Sequence, residues 1–170
     1  MRPDETGINL ERLKEQLILH EGYRDKVYYD TKGHPTVGVG FNLDRTTAVS
    51  YLRHVGAPSL YSILRGERLS DESILALLGL CIDEAIIDAR SLISNFDSLD
   101  EVRKRVVVDV AFNMGRKVFS QFKNTIKAIE ESRFKDAADG IRASKYCRQV
   151  KSRCTRLSRM METGEDSDSF

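Results

Sequence analysis

From Ile8 to His20 the apolar side chains Leu10, Leu13 and Leu17 return every three or four residues, the spacing of one helix face. Glu21 falls on the next step of that stripe, immediately before Gly22, a residue suited to ending a helix. A carboxylate in that place is directed toward an interior or a cleft rather than bulk water. Between Lys26 and Gly40 the period changes to two. Val27 and Tyr29 alternate with Tyr28 and Asp30, and Thr36-Val37-Gly38-Val39-Gly40 forms a second run. Thr31-Lys32-Gly33 between them predicts a bulged hairpin turn with Gly33 at positive φ, and Pro35 keeps the returning strand at an edge or at its beginning. Gly38 and Gly40 clear side chains from one face, so that a backbone or a ligand can approach closely. The pattern is that of a small hairpin rather than a large sheet.

From Phe41 to Leu69 short apolar groups around Val49, Leu52, Leu60 and Leu64, broken by Gly56, Pro58 and Gly66, predict strand and short helix. At Ser70 the signal sharpens. Ser70 as N-cap, with Asp71 and Glu72 in the first turn, opens a helix carrying Ile74, Leu78, Ile82, Ala85, Ala89 and Leu92. Its length, roughly 30 Å at the helical rise per residue, is enough to connect two lobes. Ser98-Leu99-Asp100-Glu101 reads as a capping box for a helix rich in valine (Val102, Val106, Val107, Val110), which implies burial, and Gly115 ends that helix. Further helices are predicted over 124–131, 134–141 and 146–161. The expected class is α+β and mainly helical. Its parts are an N-terminal lobe with the hairpin (1–68), an inter-lobe helix (69–93), a C-terminal helical lobe (94–161) and an acidic tail (162–170).

Composition narrows this picture. Hydrophobic residues make up 41% of the chain and charged residues 31%, with only three prolines, which suits a folded, helix-rich protein. No apolar run approaches the roughly 20 residues that cross a bilayer, and the start Met1-Arg2-Pro3-Asp4-Glu5 lacks the apolar core of a signal peptide. A cytoplasmic protein without membrane insertion is expected. The cysteines Cys81, Cys147 and Cys154 are read as free thiols of a reducing compartment, since residues 147 and 154 stand two turns apart on one predicted helix. They share no short-spaced pattern with His20, His34 and His54, so neither a metal nor a cofactor is expected. The absence of a heptad seam or an unused apolar stripe predicts a monomer.

The net charge of +1 conceals an asymmetry. From Arg142 to Arg159 there is no acid, while Lys145, Arg148, Lys151, Arg153 and Arg156 follow at helical spacings. Such a stretch is either a solvated helix face or a surface for a polyanion.

The residues that carry chemistry are Glu21, at a helix end, with Asp30 and Thr36 on the hairpin. A glycosidic bond breaks when one carboxylic acid protonates the leaving oxygen and a second group across the sugar guides water to the positive centre. Composition and periodicity alone do not single these residues out as an enzyme's. Glu21-Gly22, Tyr28, Asp30-Thr31, Gly33, Thr36 and Gly38-Val39-Gly40, however, resemble with the same gaps the catalytic signature of the phage-type lysozymes, the endolysin-like muramidases of glycoside hydrolase family 24. The likeness extends to Ser98-Leu99-Asp100, Val102-Arg103, Phe112-Asn113-Met114-Gly115, Ser144-Lys145-Tyr146, Gln149, Arg153 and Thr163-Gly164, and is weakest over 42–69.

The resemblance implies hydrolysis, with inversion, of the β-1,4 bond between N-acetylmuramic acid and N-acetylglucosamine in bacterial peptidoglycan. Glu21 would be general acid, and Asp30 and Thr36 would position the water. It implies two lobes joined by a long helix, substrate contacts from Asn42, Phe112 and Thr125, and a positioning role for Arg153 beside the glutamate. The partner is then the bacterial wall, reached after release from the cytoplasm, and not nucleic acid. The basic stretch would help to hold that anionic wall. The chain departs from the family at Phe41, where many relatives have histidine, at Gly140, where an asparagine is typical, and at Tyr146, where tryptophan is usual. A peptidoglycan-binding module that keeps the fold without turnover is the alternative.

Overall fold

The computed structural model describes residues 5–170; Met1 to Asp4, part of the stretch read above for a targeting segment, lie outside the described residues. The chain divides into two compact units, Lys14–Asp83 on one hand and the described residues up to Leu13 with Glu84–Phe170 on the other. Both boundaries fall inside helices, α1 (Leu10–Glu21) and α4 (Asp71–Leu92). The fold is mainly helical with a small antiparallel sheet near the N-terminus.

In the unit Lys14–Asp83 the chain leaves α1 through Gly22, whose φ of 82° lets its N–H bond back to Ile18 O at 2.8 Å. It then forms β1 (Arg24–Tyr29), β2 (Pro35–Gly38) and β3 (Phe41–Asn42) in the order β1-β2-β3. The predicted hairpin is present, and a short third strand follows where the second run was expected to continue. Arg24 pairs with Gly38 but Tyr28 with Thr36, so β1 spends more residues than β2 over the same stretch and bows out of the ladder. The region 41–69 also contains α2 (Ala48–His54) and α3 (Leu60–Leu64). Leu17, Val37, Phe41, Leu52, Ile63 and Ile74 are buried here. Phe41 stacks on Tyr51 at 6.4 Å, and the guanidinium of Arg45 lies over both rings, so this position is held by aromatic and cation–π contact. Ser70 caps α4 as expected, its Oγ accepting from Ser73 N at 3.1 Å.

The second unit contains a 3-10 turn (Phe96–Ser98), α5 (Glu101–Phe119), α6 (Lys123–Glu130), α7 (Phe134–Ala143), α8 (Lys145–Gln149) and α9 (Lys151–Thr163). The valines of α5 are buried as predicted, Val106, Val107 and Val108 almost completely. Its cap differs from the expected box. Ser98 closes the 3-10 turn, and Asp100 caps the helix by accepting from Arg103 N at 3.1 Å. Glu101 is thereby freed to bind Arg105, itself 1% exposed, at 2.7 Å. Gly115 interrupts α5 at φ 78°, ψ 164°, where the sequence placed its end. The acidic tail folds back onto this unit: Asp166 accepts from Arg12 Nε at 2.9 Å and from Arg105 Nη1 at 3.2 Å.

One expectation is overturned. Cys147 and Cys154 form a disulfide, with Cα atoms 5.0 Å apart, and only Cys81 is a free thiol. A continuous helix over 146–161 would forbid this, but Val150 leaves helical geometry (φ −131°, ψ 56°) and breaks the segment into α8 and α9. The inference of a reducing compartment, drawn from free thiols, loses its ground. Denatured but unreduced protein is expected to titrate with the single thiol of Cys81, and with all three cysteines after reduction. Cys147→Ser should lower unfolding free energy by on the order of 2 kcal/mol, the value for a short closed loop. Three thiols without reductant would refute the bridge.

Candidate active site

The position of Glu21 follows from local geometry. As the last residue of α1 it is half-buried, and its carboxylate lies against Gly40, between β2 and β3. A Cβ built on Gly40 would overlap Glu21 Oε2 and come within 3.0 Å of its carboxyl carbon. Gly40 also has φ 64°, a conformation that L residues rarely adopt, so its lack of a side chain serves the turn and the carboxylate together. Gly38 differs: its φ of 68° favours glycine, but a Cβ there would meet Ile74 at 3.4 Å, an ordinary contact.

Asp30 stands at the hairpin turn. Its Oδ1 accepts the backbone N–H groups of Lys32 at 2.9 Å and His34 at 2.8 Å. The backbone hydrogen bond from His34 is the largest influence on its acidity, assisted by Lys32 and opposed by desolvation, and the carboxyl is held below its ordinary value of 3.8. Both hydrogen bonds of the turn fall on Oδ1 and neither on Oδ2. Thr36 is buried, and its hydroxyl donates to His34 O at 3.0 Å, which leaves the lone pairs of Oγ1 as acceptors.

Sheet register adds two neighbours. Tyr28 pairs with Thr36, and Thr36 with Asn42, so the three form one cross-strand row. Asn42 Oδ1 accepts from Asp44 N at 2.8 Å. Burial raises the pKa of Tyr28, and the charges of Glu21 and Asp30 raise it further against the opposing effect of Arg24. Its phenol therefore stays a protonated donor in the company of both carboxylates. The Arg24 guanidinium covers the Tyr28 ring at 4.7 Å. Sequence reasoning counted Tyr28 among the matching residues without giving it a place in the site; the strand alternation that puts it level with Thr36 was the available signal.

Glu21, Asp30, Thr36 and Asn42 thus belong to one unit. Phe112, Thr125 and Arg153 belong to the other. There Phe112 is half-buried on α5 just before Gly115, and Thr125 is buried with its hydroxyl against Gly140, where a Cβ would clash with it. Arg153 is not a solvated base on an exposed face. It is 5% exposed, and its Nη2 and Nε lie 2.7 and 2.8 Å from Oδ1 of Asp109, which is itself fully buried. Sequence reading missed Asp109; a lone acid within a valine run was the sign. Among the described residues no cluster of histidine, cysteine or carboxylate side chains could hold a metal, and no helix is long and apolar enough to cross a membrane.

A half-buried carboxylate on a glycine-lined turn, with a second carboxylate and a hydroxyl acceptor on the same small sheet, can supply a proton and orient a water. Comparison with known proteins gives the chain a family. The chain is similar to "Probable T4-type lysozyme 2" of Dictyostelium discoideum, 28% identical over 160 residues that cover 89% of this chain and 94% of that protein. It is also similar to "Probable T4-type lysozyme 1" of the same organism, 26% identical over the same shares. Residues 19–159, a span containing all of these side chains, match the phage lysozyme family, and the protein belongs to that family.

Proposed function

We propose that this protein is a muramidase that hydrolyses the β-1,4 bond between N-acetylmuramic acid and N-acetylglucosamine of bacterial peptidoglycan, with inversion at the anomeric carbon. The observation that carries the proposal is the seat of Glu21 against Gly40, on the same small sheet as Asp30 and Thr36. Glu21 gives its proton to the glycosidic oxygen as the C–O bond breaks. A water accepted by Thr36 Oγ1 and Asp30 Oδ2 adds to the anomeric carbon from the opposite face and loses a proton to Asp30. The acid ends deprotonated, the base ends protonated, and exchange with solvent restores both. Asn42, Phe112 and Thr125 contact the glycan in this scheme, and Arg153, held by Asp109, keeps the positioning role that the family resemblance implies.

Reducing-end release from purified peptidoglycan tests the scheme directly. Glu21→Gln, with folding verified by circular dichroism, should lower the rate about 10²–10⁴-fold, the usual worth of a general acid. Release by neither protein would point instead to a binding module without turnover, and an unchanged rate in the variant would remove Glu21 from the mechanism. Gly40→Ala should lower kcat at least about tenfold by displacing the Glu21 carboxylate, while costing on the order of 1–2 kcal/mol of stability for a side chain at positive φ. Wild-type kinetics in that variant would show that Gly40 serves the turn alone.

The lowered pKa of Asp30 has a definite sign. Because the folded value lies below the unfolded one, its contribution to stability is present above the ordinary value of 3.8 and is lost as pH falls through the folded value. The Asp30 side-chain carboxyl resonance should titrate below 3.8, and an upward-shifted midpoint would contradict the role of the turn.

A further inference from the structure

The stretch from Arg142 to Arg159 contains no acid, and the structure separates its bases into two kinds. Arg142 is bound to Asp139 at 3.0 Å and Glu162 at 3.3 Å, and Arg153 is buried on Asp109. Lys145, Arg148, Lys151, Arg156 and Arg159 have no carboxylate within ion-pair reach among the described residues. Lys145, Arg148, Lys151 and Arg159 are exposed. Lys145 and Arg148 lie one turn apart on α8, and Lys151 opens α9 directly after the break at Val150. The Cys147–Cys154 disulfide ties α8 to α9, so these three cations are held in a fixed arrangement rather than on a free arm. Unpaired charges on a fixed frame lose little conformational entropy on binding.

The chemistry of the surrounding surface selects the partner. Tyr146, the sole aromatic residue of α8 and α9, is buried, so the face offers no platform on which nucleic-acid bases could stack. The exposed side of α9 is Lys151, Ser152, Thr155, Arg159 and Thr163, while Leu157, Met160 and Met161 point into the core. Without an apolar side turned outward, this helix cannot insert into a bilayer interface. Toward its end Glu165, Asp166 and Asp168 of the tail border a groove of ≈ 350 Å³ with Arg156 and Arg159 and temper their charge. The effective centre is therefore Lys145, Arg148 and Lys151.

We propose that the α8–α9 face is a docking surface for a hydrophilic, base-free polyanion of the bacterial wall, a phosphodiester polymer of the teichoic acid kind, engaged through Lys145, Arg148 and Lys151. The choice of a wall polymer rests on the muramidase reading; the preference for a base-free, non-lipid polyanion rests on the surface itself. Binding follows charge neutralisation, so affinity falls as salt rises, and the slope counts the contacts made.

The test uses full-length protein and the triple variant Lys145→Gln, Arg148→Gln, Lys151→Gln. The probes are purified poly(glycerol phosphate), single-stranded DNA of matched charge and phosphatidylglycerol vesicles. Wild type is expected to prefer poly(glycerol phosphate), and the variant to bind it about tenfold or more weakly, with the slope of log affinity against log salt smaller by about two. On walls that retain the polymer the variant's KM for reducing-end release should rise by a comparable factor at unchanged kcat. On walls stripped of the polymer by acid the two proteins should be equal. Equal binding by the variant, or tighter wild-type binding to DNA or to vesicles, would overturn the proposal. Absence of reducing ends from both wall preparations would defeat the muramidase reading and leave the binding result to be judged separately.

Discussion

The carboxylate of Glu21 occupies the space that a side chain at Gly40 would fill, and much of the Lys14–Asp83 unit is arranged around that contact. The helix must stop at Glu21, which Gly22 accomplishes by turning to positive φ and returning its N–H to Ile18. The chain must come back past the helix end through a tight connection, which Gly38 and Gly40 permit. Three strands this short are marginal alone. They persist because Val37 and Phe41, paired across β2 and β3, are buried, and because Ile74 of α4 packs on the bare backbone of Gly38. The missing side chain is needed for contact at Gly40 alone; at Gly38 the demand for glycine comes from its positive φ.

In the second unit the comparable constraint is electrostatic. Asp109 and Arg153 are both withdrawn from water, and either alone would be an uncompensated charge in a valine-rich core; removing one partner of such a pair typically costs about 3–5 kcal/mol. Arg105 is similarly enclosed between Glu101 and Asp166, which anchors the acidic tail to α5. These pairs explain why a chain of nearly balanced charge can still present an uncompensated basic face. Of the bases on α8 and α9, Arg153 takes one of these acids, and Lys145, Arg148 and Lys151 are left without a carboxylate in ion-pair reach among the described residues.

How far the sequence could be read depended on whether a feature was set by neighbours along the chain. The stripe of α1, the turn at Gly33, the cap at Ser70 and the break at Gly115 are local in origin, and each was legible. The placement of Glu21 at a helix end and of Asp30 and Thr36 on the hairpin was legible too, because the glycines between and after them mark the turns; only family resemblance proposes a chemical meaning for them. The break at Val150 was not legible. Valine carries no stop signal there, and the bridge between Cys147 and Cys154 depends on that break. The cap of α5 was misassigned by two residues because Ser98 and Asp100 are both good capping residues, and the 3-10 turn that decides between them is a tertiary matter. Asp109 and Tyr28 were missed for a related reason. The importance of each comes from a partner far along the chain or across the sheet, Arg153 in one case and Thr36 in the other.

The two carboxylates stand in different settings, Asp30 in the hairpin turn and Glu21 at the end of α1. Asp30 is stripped of one oxygen by the turn it closes, and the N–H groups of His34 and Lys32 that hold this oxygen favour its charged form. The charge of Asp30 is thus fixed by a local turn and does not depend on a bound substrate. Glu21 ends its helix and rests against a glycine, and its charge helps to keep the proton on Tyr28. An anion built into a turn and a carboxylate placed at a helix end against a glycine are the two groups to which the proposed mechanism gives the roles of base and acid. Each place is encoded locally, by which residue closes the turn and which ends the helix.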